Sequence, residues 1–245
     1  MTLNGRLIIG NERFETKNRA EVENPATLEL LGEVSVASSV DCRRAVDAAG
    51  KAYPGWRDIS LREKRAIFLK AKDILVRRSN EIARLIAQEK GTPLAEALTV
   101  EVFSILEALV YYGHSQKKSQ TPKKVRPQVP LFAHKKCRYL FQPLGPSLVI
   151  SPWNFPFMIP FLDVISELTA GNTVVLRPST STPFTALAIG EIMMEAGVPA
   201  GVVNVIPSRV PQAEEMILDP VIQSIAFTGS VPIGKRILEL ASRNL

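Results

Sequence analysis

Two textures of apolar and polar positions divide this chain, and the boundary between them lies near Ser147. The first texture begins with a short apolar run, Leu7-Ile8-Ile9, turned through Gly10-Asn11, which predicts a hairpin followed by extended chain to about Val36. Helical spacing then takes over to about residue 115. Ser60 and Glu63 have the spacing of a capping box, and Ile67, Leu69, Ile74 and Leu75 recur behind them at roughly helical period, so a helix starts there. Another helix is predicted over about residues 79–90, closed by Gly91. Pro93 opens a third that carries Leu94, Leu98, Val102, Ile105, Leu106 and Leu109. These stripes build a core and need no functional reason. Residues 115–128 are basic and polar, with two prolines, and read as a linker; residues 136–142 are a short strand-like run ended by Pro143.

Beyond Ser147 short apolar runs alternate with helical segments. Leu148-Val149-Ile150, Thr173-Val174-Val175-Leu176, Val202-Val203-Asn204-Val205 and Ser224-Ile225-Ala226-Phe227 read as strands. The helices between and after them fall near residues 158–170, 183–196, 212–218 and 233–243. Strand and helix alternating at this pitch predict parallel βαβ units with right-handed crossovers, whose ligands bind at the C-terminal ends of the strands.

Three of those strand ends carry polar turns. Phe227 runs into Thr228-Gly229-Ser230-Val231-Pro232-Ile233-Gly234-Lys235, a glycine turn opening a helix, where unpaired N–H groups and the helix dipole favour an anion. Gly229 to Lys235 matches the start of a P-loop, but Arg236 replaces the hydroxyl residue that would hold Mg²⁺. A helix start on a glycine turn with no ligand stays an alternative. Ile150 leads into Ser151-Pro152-Trp153-Asn154-Phe155-Pro156-Phe157, in which two prolines fix the backbone around Asn154; it also reads as a rigid turn packed on the core. Leu176 leads into Arg177-Pro178-Ser179-Thr180, where Arg177 is either an anion contact or a solvated strand-end charge.

Composition changes little. The chain has 245 residues, 46% apolar and 22% charged, an ordinary globular balance. No apolar run reaches bilayer length and the first residues lack a signal-peptide layout, which makes a cytoplasmic location the expectation and a membrane partner not one. Cys42 and Cys137 are too few and too far apart for a disulfide framework or a zinc site, and read as core or arm residues. The net charge of +6 is partly local, with Lys117, Lys118, Lys123, Lys124, Arg126, Lys135, Lys136 and Arg138 in one stretch. No recognition motif or interleaved aromatics accompany it, so no nucleic-acid partner is expected and the stretch reads as solvated or subunit-contacting.

Ser151-Pro152-Trp153-Asn154-Phe155-Pro156, Ala170-Gly171-Asn172-Thr173-Val174-Val175-Leu176-Arg177-Pro178-Ser179, Glu195-Ala196-Gly197-Val198-Pro199 with Gly201-Val202-Val203-Asn204-Val205, and Phe227-Thr228-Gly229-Ser230 together resemble the aldehyde dehydrogenase superfamily, in its order and spacing. Asn24-Pro25-Ala26-Thr27 and the N-terminal hairpin also resemble it, so the likeness covers essentially the whole chain. It implies an α/β fold: a parallel Rossmann-like sheet with flanking helices, preceded by a hairpin and helical segment (1–120), a linker and protruding oligomerisation-type β-arm (121–143), and NAD(P)-binding βαβ units (144–245). It also implies a dimer or tetramer when complete. Ile150, Ser151, Pro152 and Trp153 would line the nicotinamide half of the dinucleotide. Gly229, Ser230 and Gly234 would hold its pyrophosphate, and Arg177, Ser179 and Thr180 its adenosine side. Asn154 would supply the oxyanion-hole amide for a thiohemiacetal, a role suited to a donor fixed by prolines.

This sequence departs from the family at several points. Arg177 stands where the family has a lysine, and Thr180 where NAD-preferring members often have a glutamate; both changes lean the expectation from NAD towards NADP. The family's glycine turn after the third strand reads Pro207-Ser208-Arg209-Val210-Pro211, with Arg209 a phosphate contact or a loop charge. The family's chemistry also needs a cysteine nucleophile and a glutamate base. Neither Cys42 nor Cys137 fits the nucleophile, and Glu239 in Leu238-Glu239-Leu240 lacks the base's glycine pair. The resemblance therefore implies the cofactor-binding part of an enzyme that oxidises an aldehyde, inactive alone for want of its catalytic domain. A non-catalytic nucleotide-binding or subunit-assembly module is the alternative.

Overall fold

The computed structural model describes residues 3–244 and, apart from those of 115–120, their side chains. Five short strands come first: β1 (Leu3–Gly5), β2 (Leu7–Ile9), β3 (Glu12–Phe14), β4 (Arg19–Glu23) and β5 (Leu30–Ser35). Helices α1 (Ser39–Asp58) and α2 (Leu61–Lys90) follow. A third helix then has a first turn, α3 (Leu94–Glu96), and a body, α4 (Phe103–Gln120), joined by a π-helical segment over Ala97–Val102. Strands β6 (Lys123–Val125) and β7 (Cys137–Tyr139) pair antiparallel as an arm. The remainder alternates as β8 (Pro146–Ile150), α5 (Met158–Ala170), β9 (Thr173–Arg177), α6 (Pro183–Ala196), β10 (Val203–Val205), α7 (Val210–Ile217), β11 (Ser224–Phe227) and α8 (Val231–Ala241).

The main sheet has the order β11-β8-β9-β10-β2-β3, and its first four strands are parallel. Strands β8, β9 and β10 are sandwiched between helices, which is why they read as continuous apolar runs and not as alternations. Val149, Val174, Leu176, Val203 and Val205 share one core with residues of α2, α4, α5 and α6. Leu148, Ile150, Val175 and Ile206 share the other with α1, α7 and α8. The predicted α/β class and the parallel sheet are both present. The hairpin is present too, turned through Gly10 (φ 62°) and Asn11 (φ 64°), two successive positive values that suit a tight hairpin. Its destination was not foreseen: β2 adds antiparallel to β10, with Ile8 opposite Val205, so the hairpin widens the parallel sheet. A smaller sheet, β1-β5-β4, stands beside it.

Two expectations on the helices need correction. The two helices expected on either side of Ser79 are one 30-residue helix, α2, because Phe68, Ala71, Ile74, Leu75, Ile82, Ala83 and Ile86 form an unbroken buried stripe with no breaker between. Its ends are as predicted, with a Ser60–Glu63 capping box and Gly91 (φ 77°) in the left-handed region. Helix α4 runs to Gln120, past residue 115 where a linker was expected. Of the basic stretch, the side chains of Lys117 and Lys118 lie outside the described residues; Lys123, Lys124, Arg126, Lys135, Lys136 and Arg138 are exposed. Among the described residues no helix is long and apolar enough to cross a membrane.

Candidate active site at the strand ends

Chain order and sheet order part company at β8. From it the chain moves through β9 to β10 on one side, then returns to lay β11 on the other. The loops leaving β8 and β11 therefore diverge and leave a crevice outside the strand ends, the place where open parallel sheets bind ligands. Backbone bonds fix the crevice floor: Ser151 donates to the Arg177 carbonyl at 3.2 Å and Thr228 to the Ile150 carbonyl at 3.3 Å.

The loop after β8 carries Asn154. Its side chain is exposed and, among the described residues, makes no hydrogen bond, so both amide N–H donors are free. Trp153 beside it is 59% exposed, whereas Ser151 is buried with an Oγ that has no partner among the described residues. Phe155, Phe157 and the start of α5 pin the far side of the loop, with Phe157 and Phe161 meeting edge to face at 5.3 Å.

The turn after β11 is open. Thr228, Gly229 and Ser230 are exposed, and Ser230 occupies the N-cap of α8 without making a side-chain cap bond. Gly234 donates to the Ser230 carbonyl at 3.0 Å, which leaves the earlier amides of the first turn, those of Val231 and Ile233, facing outward. The two glycines have a packing reason as well. A Cβ on Gly229 would stand 2.5 Å from the Phe227 ring, and one on Gly234 would stand 3.3 Å from it, so α8 starts close over this side chain only because both positions are bare.

Arg177, at the end of β9, is half-buried and already engaged. Its Nε and one Nη donate to the Ser208 carbonyl at 3.1 and 2.7 Å, and burial lowers its pKa, with no carboxylate partner among the described residues. It was expected as an anion contact on the adenosine side or as a solvated strand-end charge; its guanidinium is instead taken up by the loop after β10. Ser179 Oγ accepts from the Ser181 amide at 3.2 Å, and Thr180 is exposed at the mouth of a cavity of about 700 Å³ that Trp153, Ser181 and Thr182 also line. Arg209 is the exposed N-cap residue of α7.

Of the remaining residues weighed as catalysts, Cys137 and Glu239 lie away from the strand ends, and Cys42 sits beside Ser208 and Arg177. Cys42 is buried in α1, where burial and then Asp41 push its thiol up to about 12, so it is not a thiolate at neutral pH. Cys137 is exposed on the arm. Glu239 is an exposed charge of α8, 3.2 Å from Arg236 and 3.5 Å from Arg243.

The sequence reading missed two acidic residues under the site. Glu101, fully buried in the π-helical segment, accepts the backbone N–H of Phe157 at 2.9 Å and of Met158 at 3.3 Å. Glu89, near the end of α2, accepts those of Phe184 and Thr185 at 2.6 and 2.8 Å. Each carboxylate caps a helix that has no side-chain cap of its own. The available signal was an acidic residue on an apolar stripe: Glu101 lies between Ala97 and Ile105, and Glu89 continues Ile82 and Ile86.

Residues 13–245 match the model of the aldehyde dehydrogenase family. The chain belongs to that family. Among its relatives are 1-pyrroline-5-carboxylate dehydrogenase 2 of Bacillus subtilis, 35% identical over 97% of this chain, and 1-pyrroline-5-carboxylate dehydrogenase of Geobacillus thermodenitrificans, 36% identical over 97%. Each match takes in 45% of the relative, so this family member spans about half the length of the curated relatives it matches. Its fold also superimposes on half of an NADP-dependent enzyme of E. coli (TM-score 0.92, 31% identity, 98% of this chain, 50% of that one). It matches an NAD⁺ complex of aldehyde dehydrogenase from Bacillus cereus with TM-score 0.91 at 28% identity, covering 99% of this chain and 49% of that one.

Proposed function

We propose that this chain is the dinucleotide-binding part of an NAD(P)⁺-dependent aldehyde dehydrogenase that oxidises an aldehyde to a carboxylic acid, and that by itself it binds cofactor without turning over. The observation that carries this is one crevice at the β8/β11 switch point holding two free donor sets: the open first turn of α8 and the unpaired Asn154 amide. The groups present fit a dinucleotide. Outward amides at Val231 and Ile233 with the Ser230 hydroxyl suit a pyrophosphate, and the buried, unpartnered Ser151 Oγ suits a polar group between β8 and the ligand. When bound, the nicotinamide supplies the hydride acceptor.

Everything else is the work of this chain's residues. Ile150 to Trp153 line one wall, and Ser179 and Thr180 face the adenosine side; Thr180 itself sets no carboxylate against a 2′-phosphate, although Glu21 and Glu23 line the same cavity, which keeps NADP in the proposal beside NAD. Asn154 donates to the oxygen on which negative charge develops when a thiolate adds to the aldehyde, with little reorganisation because its loop is fixed at both ends. The names of the relatives make 1-pyrroline-5-carboxylate the first substrate to test.

Calorimetric titration of the chain with NAD⁺ and NADP⁺ tests the binding half, and heat from neither would refute it. The catalytic half needs an active full-length form carrying this segment. There Asn154→Ala lowers kcat by about a hundredfold or more with cofactor binding little changed; unaltered turnover with chemistry rate-limiting would remove Asn154 from the mechanism.

The arm supports a further proposal, that the chain pairs with a second subunit, since Val125, Leu131, Phe132, Leu140 and Phe141 are all exposed on or beside it. Light scattering after gel filtration would contradict this by giving a monomer mass at high concentration.

A further inference from the structure

We infer that Glu101, held by Lys90, is the positioning residue that keeps the Asn154 loop in its working geometry. The inference rests on the reading of Asn154 as an oxyanion donor and deepens it.

Helix α5 begins three residues after Asn154's neighbour Phe155, so whatever fixes the first turn of α5 fixes the end of the loop. Its N-cap, Phe157, has no side chain able to accept an N–H, and none of the loop's own residues replaces it. Glu101 does so from 56 residues away: Oε2 takes the Phe157 and Met158 amides together. The other oxygen, Oε1, lies 3.3 Å from Lys90 Nζ. That ammonium is only 11% exposed, pairs with Glu96 at 3.2 Å, and stands 4.4 Å from the centre of the Phe155 ring. One buried carboxylate and one nearly buried ammonium therefore grip the loop at consecutive points, Phe155 by its ring and Phe157 and Met158 by their amides.

The π-helical segment explains how Glu101 gets there. A π turn widens a helix by one residue and changes the direction of the side chains it carries; such turns are rare and recur at functional sites. Here the turn spans Ala97–Val102, which aims Glu101 inward under α5 while Leu98 and Val102 still pack on the core. Glu89 provides an internal control: it caps α6 in the same manner, yet α6 follows β9 and not the Asn154 loop. Equal capping with unequal consequences separates positioning from plain stability.

Hydrogen exchange of the 245-residue chain, resolved by segment, tests this. Glu101→Ala speeds exchange over residues 153–158 about tenfold or more while residues 183–187 keep the rate of the unmodified chain; Glu89→Ala does the reverse. Glu101→Gln retains an acceptor and recovers most of the protection. The emission of Trp153, isolated by subtracting the spectrum of Trp153→Phe, shifts in Glu101→Ala and returns in Glu101→Gln. A uniform rise in exchange across the chain, or an unchanged loop, overturns the proposal. Should Glu101→Ala fail to fold, Lys90→Met gives the same reading through the loosened carboxylate, with loop exchange raised if the proposal holds and unaltered if it does not. None of these readouts depends on turnover, so they stand or fall apart from the oxyanion role, which Asn154→Ala tests by itself.

Discussion

The four helices that follow the parallel strands begin in two different ways. On one face, α5 and α6 start beneath buried carboxylates, Glu101 and Glu89, each accepting two backbone N–H groups. On the other face, α7 and α8 start at exposed residues, Arg209 and Ser230, with no side-chain cap among the described residues. The four sequences that open these helices look alike, none showing a capping box. The difference teaches that a helix start is a site for an anion only where the protein has left it unspent, and here the donors left over are those of α7 and α8.

The largest effect that would break this comparison lies on the closed side. Glu89→Ala leaves two buried amides without an acceptor and opens a void, and should cost about 2–5 kcal/mol in urea unfolding. A loss near zero would mean α6 needs no remote cap. The pH dependence follows from the same residue. Burial pushes the Glu89 carboxyl up to about 7 from an ordinary 4.5, against the bonds it accepts from Thr185 and Phe184. Between those values the unfolded chain has released a proton that the folded chain keeps, so stability falls as pH rises from about 4.5 to about 7 and is level above that. The contribution is on the order of 3 kcal/mol, and the slope it gives should vanish in Glu89→Gln when melting is followed across that window.

On the open side the effects are smaller and are read in binding. Thr180→Glu places a carboxylate at an exposed position beside the proposed adenosine side, and should weaken NADP⁺ relative to NAD⁺ by roughly 1–3 kcal/mol in paired titrations at fixed ionic strength. An unmoved ratio would displace Thr180 from the ribose. Smallest and most pointed is Ser230→Asp, which supplies the missing cap of α8. It should raise stability by about 0.5–1 kcal/mol while lowering dinucleotide affinity, because the charge that suits the helix repels a phosphate. Gains in both, or losses in both, would show that the first turn of α8 is not the anion site.

Much of this fold is legible in the sequence. The bounds of α5 and α6 and the four parallel strands follow from period and punctuation, since Gly171 and Gly197 end the two helices in the left-handed conformation that only glycine takes easily. The three polar turns at one sheet edge followed in turn from the βαβ order. What stayed hidden was set by distant partners. The merger of two predicted helices into α2 depends on a stripe whose centre is Phe68 and Ala71, shifted from the Ile67 and Leu69 that the spacing suggested. Strand β6 has little apolar signal, because the Lys123-Lys124-Val125 run is exposed throughout and is ordered by pairing with β7. The caps by Glu101 and Glu89 join residues 56 and 95 positions apart, which no local pattern encodes.

The hairpin at the start of the chain has a kinetic consequence. Ile8 finds its sheet partner at Val205, and Gly10 donates to the side chain of Asn204, 194 residues away. Until β10 has emerged and paired with β9, the apolar strand Leu7–Ile9 has no edge to join, and at a ribosome adding about 5–20 residues per second it waits on the order of ten seconds or more. Closing so long a loop makes this pairing a late and slow event, and leaves the second edge of β2, beyond its local pairing with β3, open to other nascent chains for the whole interval. Refolding of this protein should therefore be the more concentration-sensitive the longer its first nine residues remain unattached.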